Sequence, residues 1–333
     1  MPRLLDIFKL CRPADWSKNS FVLIAVVFWL AHYVGSTDVG STDVGSTDHA
    51  SLSYQEIHDR LMATLCAFAS FCLVASGSYC INDAMDAAKD RAHPVKCRRP
   101  VASGAVSPST AIVSGIALIA GAFALASTVR LALVAAVGIY IVLQVAYNGG
   151  LKRVAILDVT TIATGFALRA AAGALAIGAA LSVWLVLCVF FLCLYLAFIK
   201  RTCDLVAAQA QGSAWKSSAG YDDRNELNWL LGVSATLTVV MYVSYTLSEH
   251  ATQLFGARAY GMALLTPLVL ACIHRFWRRA NRGGSDSPLS ALRDDKVMLA
   301  CALLYLALLL VVLFVPSVSW ALGTLFLSVE SAV

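Results

Sequence analysis

The sequence predicts an all-α integral membrane protein with nine transmembrane helices and a cytoplasmic N-terminus, on three observations. Of its 333 residues, 59% are hydrophobic and 14% charged, and the mean hydropathy of +0.74 lies outside the range of a soluble globular domain. Apolar stretches near the length of a bilayer-crossing helix, about 20 residues, recur nine times. The bases are asymmetric: 21 of the 25 fall in five segments that share one side if the N-terminus is inside, and short cytoplasmic loops collect Lys and Arg.

Taken in order, the chain opens on Arg3, Lys9, Arg12 and Lys18, spread over an amphipathic stretch without a small-residue cleavage site. Helix 1 (20–34) is therefore expected to stay as an anchor. GSTDVGSTDVGSTDH, residues 35–49, follows as a five-residue unit written three times. It has no amphipathic period and lacks the longer Gly/Asp unit of calcium-binding repeats, so 35–58 reads as a flexible extracytoplasmic loop grown by duplication. Helix 2 (61–81) runs into the charged stretch INDAMDAAKDRAHPVKCRRP, residues 81–100. Helices 3 to 9 are expected at 109–128, 131–147, 155–178, 182–199, 228–248, 259–274 and 297–315, with an apolar tail from Trp320 to Val329. The chain is expected to form a single membrane domain over 1–333. Its long polar inner loops, 82–107 and 200–227, are the expected cytoplasmic active-site loops.

The ten cysteines lie mostly within helices, with no CxxC pair and no metal-ligand spacing, and read as small packing residues. The net charge of +5 fits inner loops facing anionic lipid or substrate and not nucleic acid, because no soluble domain carries the bases. RFWRRANR, 275–282, reads as a patch for anionic head groups.

If helix 2 continues past residue 82, Asp83, Asp86 and Asp90 fall at i, i+3 and i+7, within about 60° of one another on one face. Like charges so spaced weaken a helix unless something neutralises them. Acidic groups at a bilayer edge commonly mark a functional site. A divalent cation resolves the conflict, and Mg²⁺ is the natural choice, since it takes hard oxygen ligands from one or two carboxylates plus substrate phosphates. Asn82, Asp83, Asp86 and Asp90 are the candidate metal ligands, and the three aspartates the candidate catalytic residues. Pro94 ends the helical pattern ahead of Lys96, Arg98 and Arg99, bases suited to gripping the same phosphates. A solvated helix end followed by a positive-inside signature leaves the NDxxDxxxD spacing unexplained.

NDxxDxxxD (Asn82, Asp83, Asp86, Asp90) followed by RPVASG (Arg99 to Gly104) resembles the first aspartate-rich motif of the UbiA superfamily of intramembrane prenyltransferases. Those are nine-helix proteins that bind a diphosphate through Mg²⁺. A second DxxxD after helix 6 is usual there, but this chain reads KRTCDL from Lys200, with the single early acid Asp204. Asp222 and Glu226 have DxxxE spacing, yet stand before helix 7 like a capping segment. CRPADWSKN (11–19), DRAHPVK (90–96), YNGGLK (147–152), LDV from Leu157 and GFALR (165–169) are similar to the decaprenyl-phosphate phosphoribosyltransferase branch over most of the chain. The likeness extends to a rhizobial nodulation protein associated with arabinosylation of the Nod factor.

This resemblance implies Mg²⁺-dependent transfer of a 5-phosphoribosyl group from phosphoribosyl diphosphate to a polyprenyl phosphate, toward a lipid-linked arabinose donor. It implies an inner-membrane protein whose active site faces the cytoplasm. A phosphate acceptor is already ionised near neutral pH, so no general base is required. Lys18, Lys96, Arg99, Lys152, Lys200 and Arg201 lie at the expected cytoplasmic helix ends as phosphate contacts, with Tyr147 in YNGGLK. Tyr79, one turn before the motif, is expected to contact the ribose or a phosphate, and Asp204 the metal or ribose. Arg169, deep in helix 5, needs a partner, for which Asp158 is the expected residue. His93 reads as a loop residue or donor contact. Two other readings compete: transfer of an isoprenoid from its diphosphate to an aromatic acceptor, disfavoured by the altered second motif, and a transporter, disfavoured by the absence of a clear inverted repeat. The sequence leaves a homo-oligomer open.

Overall fold

Short polar residues set where the long helices begin, and the apolar runs behind them set how far they extend. The computed structural model describes residues 4–37, 53–92, 96–210, 219–282 and 288–326. Its helices are α1 (Leu4–Leu10), a 3-10 helix (Pro13–Leu23), α2 (Ile24–Thr37), α3 (Tyr54–Met85), α4 (Ala87–Arg91), α5 (Pro108–Ser127), α6 (Leu131–Gly149), α7 (Leu157–Ile177) and α8 (Val183–Ala210). There follow α9 (Arg224–Thr246), α10 (Glu249–Phe255), α11 (Arg258–Leu264), α12 (Thr266–Ala280), α13 (Pro288–Asp294), α14 (Lys296–Phe314) and α15 (Pro316–Phe326). The side chains of Ser53, Ser107, Asp223 and Asp295 accept backbone N–H groups in the first turns of α3, α5, α9 and α14. Asp223 thus caps the helix beside the DxxxE pair of Asp222 and Glu226.

Eight helices among the described residues are long and apolar enough to cross a bilayer, with α11 and α12 counted as one, and no strand occurs among those residues. The first expected crossing, 20–34, is wound differently. It begins inside the 3-10 helix that starts at Pro13 and becomes α-helical only at Ile24, leaving 14 residues in α2. The polar Asp15, Lys18 and Asn19 fall in the 3-10 part, where Asn19 is buried. The apolar tail is not a continuation of helix 9, because Pro316 cannot extend α14 and opens α15. The GSTDV repeat beyond Thr37, and His93 and Pro94, lie outside the described residues.

The helices sort into two compact units. The first holds residues 1–26, 51–150 and 168–181. Its core sets Phe71 and Tyr140 edge to face, 5.7 Å between ring centres, among Ala67, Ala75, Ala122, Ala126, Ala136, Ala172 and Ala176. Small residues dominate because apolar side chains gain little by leaving lipid for protein, so helices associate through close packing. Gly77 on α3 and Gly115 on α5 show how close: a Cβ on Gly77 would lie 2.7 Å from the Gly115 carbonyl oxygen, and the reverse substitution 2.8 Å from that of Gly77. This crossing fixes α3 two turns before its acidic end.

The second unit holds residues 27–50, 151–167 and 182–333. One cluster packs Tyr195, Phe198, Ile199, Tyr221, Leu227 and Leu231 with Ile273 and Phe276, and another gathers Ala31, Tyr245, Phe255, Met262 and Leu313. On α14 Leu303, Leu306 and Leu310 are exposed, as lipid-facing residues of a membrane span are.

Candidate active site

The acidic end of α3 does not run straight on. At Asp86 the backbone leaves helical geometry (φ −88°, ψ 2°), so α3 ends at Met85 and α4 starts at Ala87. Helical hydrogen bonding still passes through, from Asp86 N to Asn82 O and from Asp90 N to Asp86 O, both 2.9 Å. The result differs from three carboxylates in a row. Asp83 and Asp90 are buried, at 2% and 3% exposure, and Arg99 Nη1 donates to both, at 3.2 Å to Asp83 Oδ1 and 2.7 Å to Asp90 Oδ2. Asp86 is half-buried and, among the described residues, makes no side-chain hydrogen bond or ion pair.

A second guanidinium meets Asp83 from the N-terminal segment. Arg12 Nη2 donates to Asp83 Oδ1, and its guanidinium carbon stands 4.6 Å above the Tyr79 ring. Arg12 has φ 51° and ψ 61°, the left-handed region, directly before Pro13. A non-glycine residue is held there only by its surroundings. Those contacts are visible: Ser76 Oγ donates to the Cys11 carbonyl at 2.9 Å and accepts from Trp16 Nε1 at 3.0 Å, pinning both sides of Arg12 to α3. Two buried carboxylates thus face two arginines, the balance that buried charge requires.

Among the described residues, no three of His, Cys, Asp or Glu gather as a metal cluster. The donor set nonetheless fits Mg²⁺, which needs only one or two carboxylates when phosphate and water complete its shell. Among the described residues Asp86 is uncommitted, Asn82 is half-buried beside it, and the hydrogen bonds to Asp83 fall on Oδ1, so that Oδ2 would be open to a metal. Asp90, the fourth expected ligand, is held by Arg99.

The second unit carries its own buried carboxylate. Asp158, at 0% exposure, accepts from Arg201 Nε (3.1 Å) and Nη2 (2.8 Å) on Oδ2 and from Tyr221 OH (2.7 Å) on Oδ1. Tyr221 OH in turn accepts from Ile156 N at 2.6 Å, where Ile156 has φ 68°. Burial pushes the Tyr221 hydroxyl above its usual range, so it stays a donor. Arg201, expected at a phosphate, is engaged with Asp158, and Asp204 Oδ2 lies 3.9 Å from its Nη1.

The expected pairing of Arg169 with Asp158 is corrected. Both residues lie on α7, eleven positions and so about 16 Å apart along its axis. Arg169 instead donates from Nε to Asn19 Oδ1 (2.7 Å) and from Nη2 to Tyr140 OH (3.0 Å). Of the remaining expected contacts, Lys18 pairs with Asp15 at 2.6 Å, Lys96 and Lys200 are exposed, and Tyr147 and Lys152 are half-buried. Arg12, Asp158 and Tyr221 are site features that sequence reasoning did not single out as such. The left-handed residue ahead of Pro13 in CRP is visible only in the structure.

Residues 49–289 match the UbiA prenyltransferase family. The decaprenyl-phosphate phosphoribosyltransferase of Corynebacterium glutamicum is 29% identical over 93% of this chain and 87% of its own length. The nodulation protein NoeC of Azorhizobium caulinodans is 29% identical over 88% of each. Among solved structures, a UbiA homolog from Archaeoglobus fulgidus bound to GPP and Mg²⁺ shares the fold with a TM-score of 0.61, at 19% identity over 93% of this chain and all of that one. With 241 consecutive positions inside the family's limits and its acidic motif at the end of α3, the chain belongs to the UbiA prenyltransferase family.

Proposed function

We propose that the protein transfers a 5-phosphoribosyl group from phosphoribosyl diphosphate to a polyprenyl phosphate, decaprenyl phosphate by analogy with the Corynebacterium glutamicum relative, with Mg²⁺ at the acidic end of α3. The observation that carries the reading is the likeness to a decaprenyl-phosphate phosphoribosyltransferase over 93% of the chain, joined to the arrangement of Asn82, Asp83 and Asp86. In the reaction the ribose C1–O bond to diphosphate breaks and a C1–O bond to the lipid phosphate forms on the opposite face, with inversion. Mg²⁺ held by Asn82, Asp83 and Asp86 would neutralise the charge on the departing diphosphate.

The protein's own part is positioning and screening. Arg12 and Arg99 set two guanidinium charges against the buried Asp83 carboxyl, and Asp90 orients Arg99 through the 2.7 Å bond. Tyr79, beneath Arg12, presents its hydroxyl to the ribose or a phosphate. Lys18, Lys96, Tyr147, Lys152, Lys200, Arg201 and Asp204 enter the reading as substrate contacts on sequence grounds. The product would feed a lipid-linked arabinose donor, and the likeness to a nodulation protein suggests Nod-factor arabinosylation as its use. The distribution of bases supports an inner-membrane protein with nine crossings, Pro13–Thr37 supplying the ninth, and with the N-terminus and active site on the cytoplasmic side.

The test is a transfer assay with membranes containing the protein, radiolabelled phosphoribosyl diphosphate, decaprenyl phosphate and Mg²⁺. A labelled lipid that requires Mg²⁺ and vanishes in Asp86→Ala is the expected result. Turnover of a prenyl diphosphate with an aromatic acceptor, and no labelled lipid, would overturn it.

A further inference from the structure

Far from the acidic motif in sequence, α12 ends and α14 begins beside one another. Both belong to membrane spans, Arg258–Ala280 and Lys296–Phe314, so this is a level where two spans pass from apolar to basic. Arg275 on α12 holds Asp295, the cap of α14, through Nη2 at 2.8 Å, and Arg279 holds Asp294 at 2.6 Å. These pairs frame a cavity of about 480 Å³ that Arg278, Arg282 and Lys296 also line.

The charge there is unbalanced. Among the described residues, five cations line the cavity against two carboxylates, an excess of three. The side chains of Arg278, Arg282 and Lys296 make no hydrogen bond or ion pair among the described residues. Arg279 Nε is buried and lacks a hydrogen-bond partner among the described residues, which supply this donor with no acceptor. The helix dipole favours Arg278 and Arg279 in the last turn of α12 but opposes Lys296 in the first turn of α14. Adjacent like charges at this density call for an anion.

We propose that this cavity is a binding site for the phosphate of an anionic phospholipid head group. The membrane is the favoured source of that phosphate for three reasons. The cavity lies where two spans emerge, and head groups occupy that level. Trp277, next in the chain to the lining residue Arg278, is 37% exposed and stacked with His274, in the manner of an interfacial aromatic at that end of α12. Val297, which also lines the cavity, begins an uninterrupted apolar face on α14 along which an acyl chain would run. Arg278 in the last turn of α12 and Arg282 in the turn that follows it offer guanidinium forks suited to phosphate oxygens. Ordinary snorkelling of bases would instead give weak, unsaturable and additive attraction.

The experiment measures bound lipid by native mass spectrometry on the full chain in phosphatidylcholine nanodiscs carrying increasing phosphatidylglycerol. The expected result is saturable retention of phosphatidylglycerol, weakened about tenfold or more in Arg278→Gln/Arg282→Gln and unchanged in Lys9→Gln. Arg278→Lys/Arg282→Lys, which keeps the charge and the fold but loses the forks, should give an intermediate loss. Unaltered retention in both double variants would overturn the site. Displacement of the lipid by millimolar inorganic phosphate in the wild-type chain would overturn the membrane as its source.

Discussion

The guanidinium of Arg12 closes on the carboxylate of Asp83, 71 positions further along the chain. Asp83 is 2% exposed, and Arg99 at 3.2 Å is its other cation. Breaking a buried pair by removing one partner costs about 3–5 kcal/mol, because a charge is left uncompensated. Arg99 remains and a quarter of the Arg12 side chain meets solvent, so Arg12→Ala should cost about 2 kcal/mol. Asp83→Asn should recover part of that loss in the Arg12→Ala background. A double-mutant cycle read by thermal unfolding in detergent checks this, and strictly additive losses would show the contact uncoupled.

Asp86 and Asp90 should separate function from stability. Asp90 is buried against Arg99, so Asp90→Asn leaves the guanidinium without its shorter bond and should lower the unfolding temperature. Asp86 is half-buried and makes no ion pair among the described residues, so Asp86→Asn should change stability by about 0.5 kcal/mol or less. On the proposed function it should nevertheless remove Mg²⁺ binding and transfer. Titrating Mg²⁺ against unfolding temperature distinguishes them: equal responses in wild type and Asp86→Asn would take Asp86 out of the metal site.

Around Asp158 the strained backbone and the hydrogen bonds make opposite predictions. Tyr221→Phe removes the donor to a fully buried carboxylate and the acceptor for Ile156 N, and should cost about 1–3 kcal/mol. Ile156→Gly relieves a β-branched residue at φ 68° whose residue surface is about half exposed, and should stabilise by about 1 kcal/mol. Unfolding temperatures of the two variants moving in the same direction would contradict this account of the loop.

How far the sequence discloses all this depends on the range of the interaction. The apolar runs and the alternating bases are local, and eight of the nine expected crossings coincide with described spans. The spacing of Asp83, Asp86 and Asp90 is equally local, but their division into two held carboxylates and one uncommitted one depends on Arg12 and Arg99, the first of them 71 positions away. Likewise Tyr221 meets Asp158 across 63 positions, and no periodicity announces such a contact. The mistaken pairing of Arg169 with Asp158 was open to a local check, since eleven residues of one helix separate them by three turns. The 3-10 winding of Pro13–Leu23 was not, because it accompanies the burial of Asn19 under Arg169 from a distant helix.

The contact between Arg275 and Asp295 should give an acid limb of defined sign. Arg275 donates to both Asp295 oxygens, and chiefly this hydrogen bonding holds the Asp295 carboxyl below its ordinary value of 3.8. A depressed folded value means that the unfolded chain binds the proton more readily. The stabilisation is therefore complete above about pH 5 and drains away as pH falls through 3.8 toward the folded value. Asn also caps helices well, so Asp295→Asn removes the charge while keeping a first-turn acceptor for Val297 N and Met298 N. Unfolding temperatures of the two proteins in uncharged detergent should differ by a constant amount above pH 5 and converge in acid. A gap that widens as the pH drops would mean that protonated Asp295 is the form the fold prefers, and would reverse the assignment.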